Sequence, residues 1–208
     1  MQKLTRFFGQ LKGILLFDSK SYKEVYENKN SLPAAFLLAL TIYVLVNAAS
    51  FRVLSMGGID SASSGVACDI NRYFPAPLTC YCQFGEGYTG DRSFMCLVAL
   101  LVHPLVMIIG LVVYAIVLSL LSRLSKGEKH DLQGYISLVL YSQTPALLGV
   151  LAIFGQQLKD AGMALGFIWT LACVIKATKD TTNLSLFKAS AIVIVLSFIW
   201  IVLYTAKR

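Results

Sequence analysis

From Leu132 to Phe154 the chain is apolar for about the length that crosses a bilayer, yet its middle reads Tyr141, Ser142, Gln143, Thr144, Pro145. A spanning helix needs ~20 residues, so this run qualifies by length. Hydrocarbon does not solvate hydroxyls or amides, so the polar cluster must face protein or a wet cavity. Four other apolar runs are the candidate walls around it: Leu32–Phe51, Phe94–Leu121, Ala161–Ile175 and Leu186–Tyr204.

Composition agrees with that reading. The 208 residues are 57% hydrophobic and only 14% charged, against roughly 25% charged in soluble domains. The expected fold is an all-α membrane protein with five transmembrane helices. The net charge of +7 does not point to nucleic acid. Basic residues beside apolar spans set orientation and meet anionic lipid, which makes the phospholipid bilayer the first partner.

Residues 1–30 are amphipathic. Leu4, Phe7, Phe8, Leu11, Ile14 and Leu15 recur at helical spacing, with Lys3, Arg6, Gln10 and Lys12 on the other face. The pattern predicts a helix lying in the interface, anchored by Phe7, Phe8, Leu11 and Lys12. The alternative is a helix hairpin packed under the membrane domain. A second short helix is expected after Asp18, opened by a capping box at Ser21 and Glu24, with Tyr22, Val25 and Tyr26 on one face. Arg6, Gln10 and Lys12 interrupt the first apolar patch, so no cleavable signal peptide is expected. The division is then a 1–30 interfacial segment and a 31–208 five-span membrane domain.

Orientation follows from Lys and Arg. With the N-terminus in the cytoplasm, twelve of the 18 fall in the inside segments, and six (Arg52, Arg72, Arg92, Lys159, Lys207, Arg208) fall outside. This predicts N-terminus in and C-terminus out. Loop 52–92 is then extracytoplasmic, where disulfides persist. Cys68 with Cys80 or Cys82 is the expected bridge, and spacing does not choose between them. The same cysteines offer thiolates to a soft metal. However, no histidine lies nearby and a tetrahedral site needs a fourth ligand, so no metal is assigned. Cys96 and Cys173 fall in or beside spans and are read as packing residues.

The order of the short motifs resembles the Yip (Ypt-interacting protein) domain family. A Lys- and Gly-rich loop, Leu124-Ser125-Lys126-Gly127-Glu128-Lys129, precedes a span holding Gly134-Tyr135 and Tyr141-Ser142-x-x-Pro145. Gly166-Phe167-Ile168-Trp169 follows, and Leu186-Phe187-Lys188-Ala189 opens the last span. The likeness covers nearly all the chain, from about Phe7 to Tyr204, but not loop 52–92. It implies a multi-pass membrane protein; no cofactor and no catalytic residue is assigned. Eukaryotic members bind prenylated Rab-type GTPases through a longer cytosolic N-terminal region with an acidic-Leu-Tyr-Gly-Pro type segment. No such segment stands before the first span here, so no Rab-binding residue is carried over. The compact N-terminus is similar to that of prokaryotic members, which places the expectation in a bacterial inner membrane.

Enzyme chemistry finds little to use. Residues 94–121, 135–154 and 186–204 contain no Asp or Glu. Ser142 and His103 are the residue types of a nucleophile–base dyad. Yet Ser142 has no Gly-x-Ser-x-Gly context, and polar residues in spans commonly bond neighbouring helices. No phosphate-cradling Gly loop is present. His103, Pro104, Tyr141, Ser142, Gln143, Thr144 and Pro145 therefore form a candidate polar hub between spans two and three. Gly162 and Gly166 have the Gly-x-x-x-Gly spacing of close helix packing, within the bundle or across a homo-oligomer. The leading expectation is a membrane-organising or adaptor protein that binds lipid or a membrane-protein partner. The alternative is a small-solute or ion transporter using the hub, since broken helices expose backbone carbonyls at midplane.

Overall fold

The computed structural model describes residues 2–28, 30–56, 92–126, 131–182 and 184–205. Among these, every regular element is helical: α1 (Gln2–Leu15), α2 (Ser19–Glu27), α3 (Ser31–Met56), α4 (Arg92–Lys126), α5 (Leu132–Tyr141), a 3₁₀ helix (Thr144–Phe154), α6 (Gln156–Thr182) and α7 (Leu186–Thr205). Four stretches of the described residues are long and apolar enough to cross a bilayer: Ser31–Ala49, Pro104–Ser125, Leu132–Leu151 and Gln157–Thr182. α7 is a 20-residue apolar helix, and its described apolar part, Leu186–Trp200, is shorter than those four.

The stretch with the polar middle is the pillar of the bundle. Two thirds of Leu132–Leu151 (67%) is buried, against 33% of Pro104–Ser125. α5 contributes to both apolar cores. Leu138, Leu140 and Tyr141 pack with Ala39 and Tyr43 of α3, Ile108 of α4 and Cys173 of α6. Tyr135 and Val139 pack with Tyr114 and Leu118 of α4, Val174 of α6, and Val193 and Leu196 of α7. A helix apolar on all sides belongs inside a bundle. Outward positions such as Ile109, Leu165, Ile168, Val195 and Phe198 are exposed, as lipid-facing surface requires.

Three expectations are corrected. The third span is not one kinked α-helix: α5 stops at Tyr141, and the chain continues as an 11-residue 3₁₀ helix. The fourth span is not the short run 161–175 between polar turns. α6 runs 27 residues, because its flanking polar residues extend the helix instead of ending it. Lys176 pairs with Asp180 one turn on at 3.1 Å, and Thr178, Thr181 and Thr182 turn their hydroxyls back to the carbonyls four residues earlier. Lys159 lies in the first turns of α6 and is buried. Gly155 alone separates the 3₁₀ helix from α6, and its φ of +129° is strained for a side chain but open to glycine.

The third correction concerns the start of α2. No capping box forms at Ser21. Asp18 is the N-cap, accepting from the Lys20 and Ser21 N–H groups at 3.3 and 3.1 Å and from the Ser21 hydroxyl at 2.7 Å. Ser21 is thus a donor inside the first turn, which satisfies amides the helix start leaves free. α1 ends in the reverse device. Asp18 N–H donates to the Gly13 carbonyl (2.8 Å) and Phe17 N–H to Ile14 (3.1 Å), with Phe17 left-handed at φ 58°. This is a Schellman ending, and it folds α1 and α2 into a hairpin.

Candidate functional site

The site is the break in the third span and the hairpin seated against it. Pro145 has no N–H to give the preceding turn, so a carbonyl inside the membrane loses its donor. The neighbouring side chains supply the replacements. Thr144 Oγ1 donates to the Tyr141 carbonyl at 2.6 Å. Gln143 Nε2 donates to Val139 at 3.2 Å, and Ser142 Oγ adds a bond of 2.8 Å to the Leu138 carbonyl, which already accepts the Ser142 N–H. Gln143 N–H and Ala146 N–H reach back only three residues, to Leu140 and Gln143, which is the 3₁₀ pattern. Tyr141, Ser142, Gln143, Thr144 and Pro145 are all buried.

Small residues hold the 3₁₀ helix in place. A Cβ at Gly166 would stand 2.8 Å from the Pro145 carbonyl oxygen, and one at Gly162 would collide with the Leu148 carbonyl oxygen. On the other side, a Cβ at Gly149 would meet Val46 Cγ1 of α3 at 2.9 Å. The segment is therefore clamped between α3, at the Val46 side chain, and α6, at backbone contact. The hub's polar bond follows the same neighbour. Tyr43 OH of α3 donates to Gln143 Oε1 at 3.1 Å, fully buried. The expectation that the hub faces the second span is corrected in this respect, since its side-chain hydrogen bond goes to the first. The second span instead forms part of the wall of a cavity beside Gln143. That cavity, of about 310 Å³, lies between Tyr43, Tyr114 of α4, Thr170 of α6, and Ser197 and Trp200 of α7.

The hairpin reaches this region from the side. Ile14 is fully buried, and its carbonyl accepts from Tyr22 OH at 3.0 Å and from Cys173 Sγ at 3.8 Å. Burial pushes the Tyr22 phenol above its ordinary range, which keeps the donor proton on it. Trp169 Nε1 donates to the Leu15 carbonyl at 3.2 Å, and Lys176 Nζ to Ser19 Oγ at 2.8 Å. At the other end of the hairpin, Asp131 N–H donates to Tyr26 OH at 2.8 Å, and Gly134 has room only for hydrogen against the Tyr26 carbonyl. The Phe7 ring lies 6.0 Å from that of Tyr141. Tyr141 is about 9 Å of helix rise deeper than Tyr135, whose OH donates to Thr178 Oγ1 of α6 at 2.8 Å. The Phe7 end of α1 therefore meets the third span at the C-terminal end of α5, where the break begins.

The expected site residues divide as follows. Tyr141 through Pro145 sit together, with Gly162 and Gly166 against the following segment. Pro104 is buried inside α4 and is not part of the cavity lining. The side chain of His103, and Cys68, Cys80 and Cys82 with their expected bridge, lie outside the described residues. Among the described cysteines, Cys173 is free and buried. Phe7 and Leu11 face the core, while Phe8 and Lys12 are exposed. Sequence reasoning missed Tyr43, Tyr114, Thr170 and Ser197. The available signal was a hydroxyl in mid-span, which obliges a partner on a neighbouring helix. Among the described residues no three of His, Cys, Asp and Glu come together as a metal site.

A family model, the Yip1 domain, matches residues 12–206. The chain belongs to the Yip1 domain family. No curated protein and no solved structure matches it. Residues 12–206 take in everything from the last turn of α1 to the end of α7, so the break, the glycine clamp and the hairpin corner are all parts of the Yip1 domain. With its apolar spans, family membership makes this a multi-pass membrane protein.

Proposed function

We propose that the chain is a membrane-organising adaptor whose N-terminal hairpin binds the anionic surface of the bilayer and couples it to the bundle. The observation that carries this reading is the seat of α1. One face is held by the bundle, while Phe8 (59% exposed), Leu16 (65%) and Phe17 (38%) stand free near exposed Lys12 and Lys20. Apolar rings beside lysines suit the boundary between headgroups and acyl chains. The reading takes residues 1–30 as the lipid-reading segment and 31–208 as the membrane domain. It makes α7 the fifth crossing and leaves the N-terminus inside, in keeping with the excess of Lys and Arg on that side. The family membership supports the coarse part, a Yip-like membrane protein.

Hydrogen exchange of the full chain in nanodiscs tests the proposal. Amides of α1 and α2 are expected to gain protection when phosphatidylglycerol replaces part of the phosphatidylcholine. Lys12→Glu with Lys20→Glu removes that gain. Equal exchange in both lipids would sink the lipid-reading role. Solute transport is the competing reading, favoured by the cavity beside Gln143. Ion or solute flux in proteoliposomes that disappears in Gln143→Ala or His103→Ala would replace the adaptor.

A further inference from the structure

We infer that the cavity beside the break takes an uncharged, bilayer-soluble ligand whose polar part is one or more carbonyl oxygens. This site is separate from the hairpin surface and rests on its own observations. The cavity wall has donors to spare. Tyr114 OH and Ser197 Oγ share a single bond at 3.0 Å, so one of their two O–H groups remains unused. Gln143 Nε2 gives one proton to the Val139 carbonyl and keeps the other, while its Oε1 is already taken by Tyr43. Thr170 Oγ1 is buried with no partner. It differs in this from Thr41, Thr178, Thr181 and Thr182, which all turn back to the carbonyl four residues earlier, as helical threonines do. Three unspent donors around one apolar space call for an acceptor.

Charge and depth narrow the class. Among the described residues, no Lys, Arg, His, Asp or Glu lines the cavity, and an ion without a counter-charge in hydrocarbon is strongly disfavoured. Tyr43, Tyr114, Gln143 and Thr170 lie well inside Ser31–Ala49, Pro104–Ser125, Leu132–Leu151 and Gln157–Thr182. The ester carbonyls of a phospholipid are tethered near its headgroup and do not reach that level. The ligand must therefore be uncharged along its whole length. At about 310 Å³ the space is at the small end of ligand pockets, which run ~300–1,000 Å³. It holds a head of that size while a tail stays in the bilayer. A quinone and a diglyceride both present such carbonyls.

The test uses the full chain with Trp169→Phe, which leaves Trp200 in the cavity wall as the only tryptophan of the two. In phosphatidylcholine nanodiscs it is titrated with decylubiquinone, with dioctanoylglycerol and with dodecane. The expected result is a saturable change in Trp200 fluorescence with a carbonyl probe and none with dodecane. Saturation by only one carbonyl probe identifies the source. Thr170→Val should weaken the apparent affinity about 5-fold, and Thr170→Ser should restore it. The thermal midpoint should not fall in Thr170→Val, because the hydroxyl removed has no partner. Unsaturable partitioning by every probe, saturation by dodecane, or unchanged affinity in Thr170→Val would each overturn the assignment.

Discussion

Thr144 Oγ1 sits 2.6 Å from the Tyr141 carbonyl oxygen, and this bond takes the place of the one Pro145 cannot donate. The two residues make a self-contained pair, one removing a backbone donor and the other returning it from a side chain. Such repair matters more in a membrane than in water, because no solvent is present to serve the carbonyl.

Thr144→Val keeps the volume and removes the hydroxyl. It is expected to destabilise the protein by about 1 kcal/mol in thermal or denaturant unfolding, with Thr144→Ser close to the parent. Pro145→Ala added to Thr144→Val supplies a new N–H and should recover part of the loss. A double variant as unstable as Thr144→Val would show that the carbonyl was never the issue.

The glycine clamp is tested by adding one carbon. At Gly162 and Gly166 the Cβ meets carbonyl oxygens of Leu148 and Pro145, and backbone cannot swing aside as a side chain tip can. Gly162→Ala and Gly166→Ala should each lower stability by about 1–3 kcal/mol. Gly9→Ala is the control. Nothing lies within 4 Å of its Cβ position, so helix propensity alone acts and stability should hold or rise by about 0.5–1 kcal/mol.

Much of this was legible in the sequence, for physical reasons that differ by element. Apolar runs at bilayer length announced the spans, and the polar pentad Tyr141–Pro145 announced a place where lipid cannot be the neighbour. What the pentad touches was not legible, because the Tyr43–Gln143 bond joins residues 100 apart in sequence and depends on which face α3 turns inward. The 3₁₀ continuation was hidden for another reason. A periodicity argument distinguishes helix from strand, whereas the choice between α and 3₁₀ here is tied to one missing N–H and three neighbouring hydroxyl and amide side chains. The extension of α6 past Lys176 was missed because charges usually end a span. Here Lys176 has Asp180 and Ser19 within reach. The N-cap was misplaced by three residues, since Ser21 and Glu24 fit the capping-box spacing while Asp18 is the stronger acceptor.

Asp18 makes the hairpin corner pH-dependent. Its bonds from the Ser21 hydroxyl and N–H hold the carboxyl below the usual range. The folded pKa is the depressed one, so the cap's contribution is fully present above the unfolded value of about 3.9 and is lost as pH falls through the folded value. Hydrogen exchange at Ser19 to Val25 should be unchanged from pH 7 to 5 after correction for intrinsic rates, and should accelerate below about 4. Asp18→Asn keeps a capping oxygen that does not titrate. It should abolish the acid effect, and persistence of that effect in Asp18→Asn would assign it to another group.

Phe17 carries the last prediction. It holds φ 58°, a backbone region that glycine occupies freely and that costs other L-residues roughly 1–2 kcal/mol. The Schellman ending of α1 would form as well with glycine there. The phenylalanine in that place is 38% exposed, so its ring is open to the surroundings while its backbone carries the strain. Comparing Phe17→Gly with Phe17→Ala separates the two contributions, since both delete the ring and only one relieves the strain. In detergent, Phe17→Gly should be more stable than Phe17→Ala by about 1 kcal/mol. On the proposed lipid-reading role, both should lose α1 protection in anionic nanodiscs relative to the parent. Equal stability of the two variants would mean that the corner relaxes out of the left-handed region. Full α1 protection in both would remove Phe17 from the lipid-facing surface.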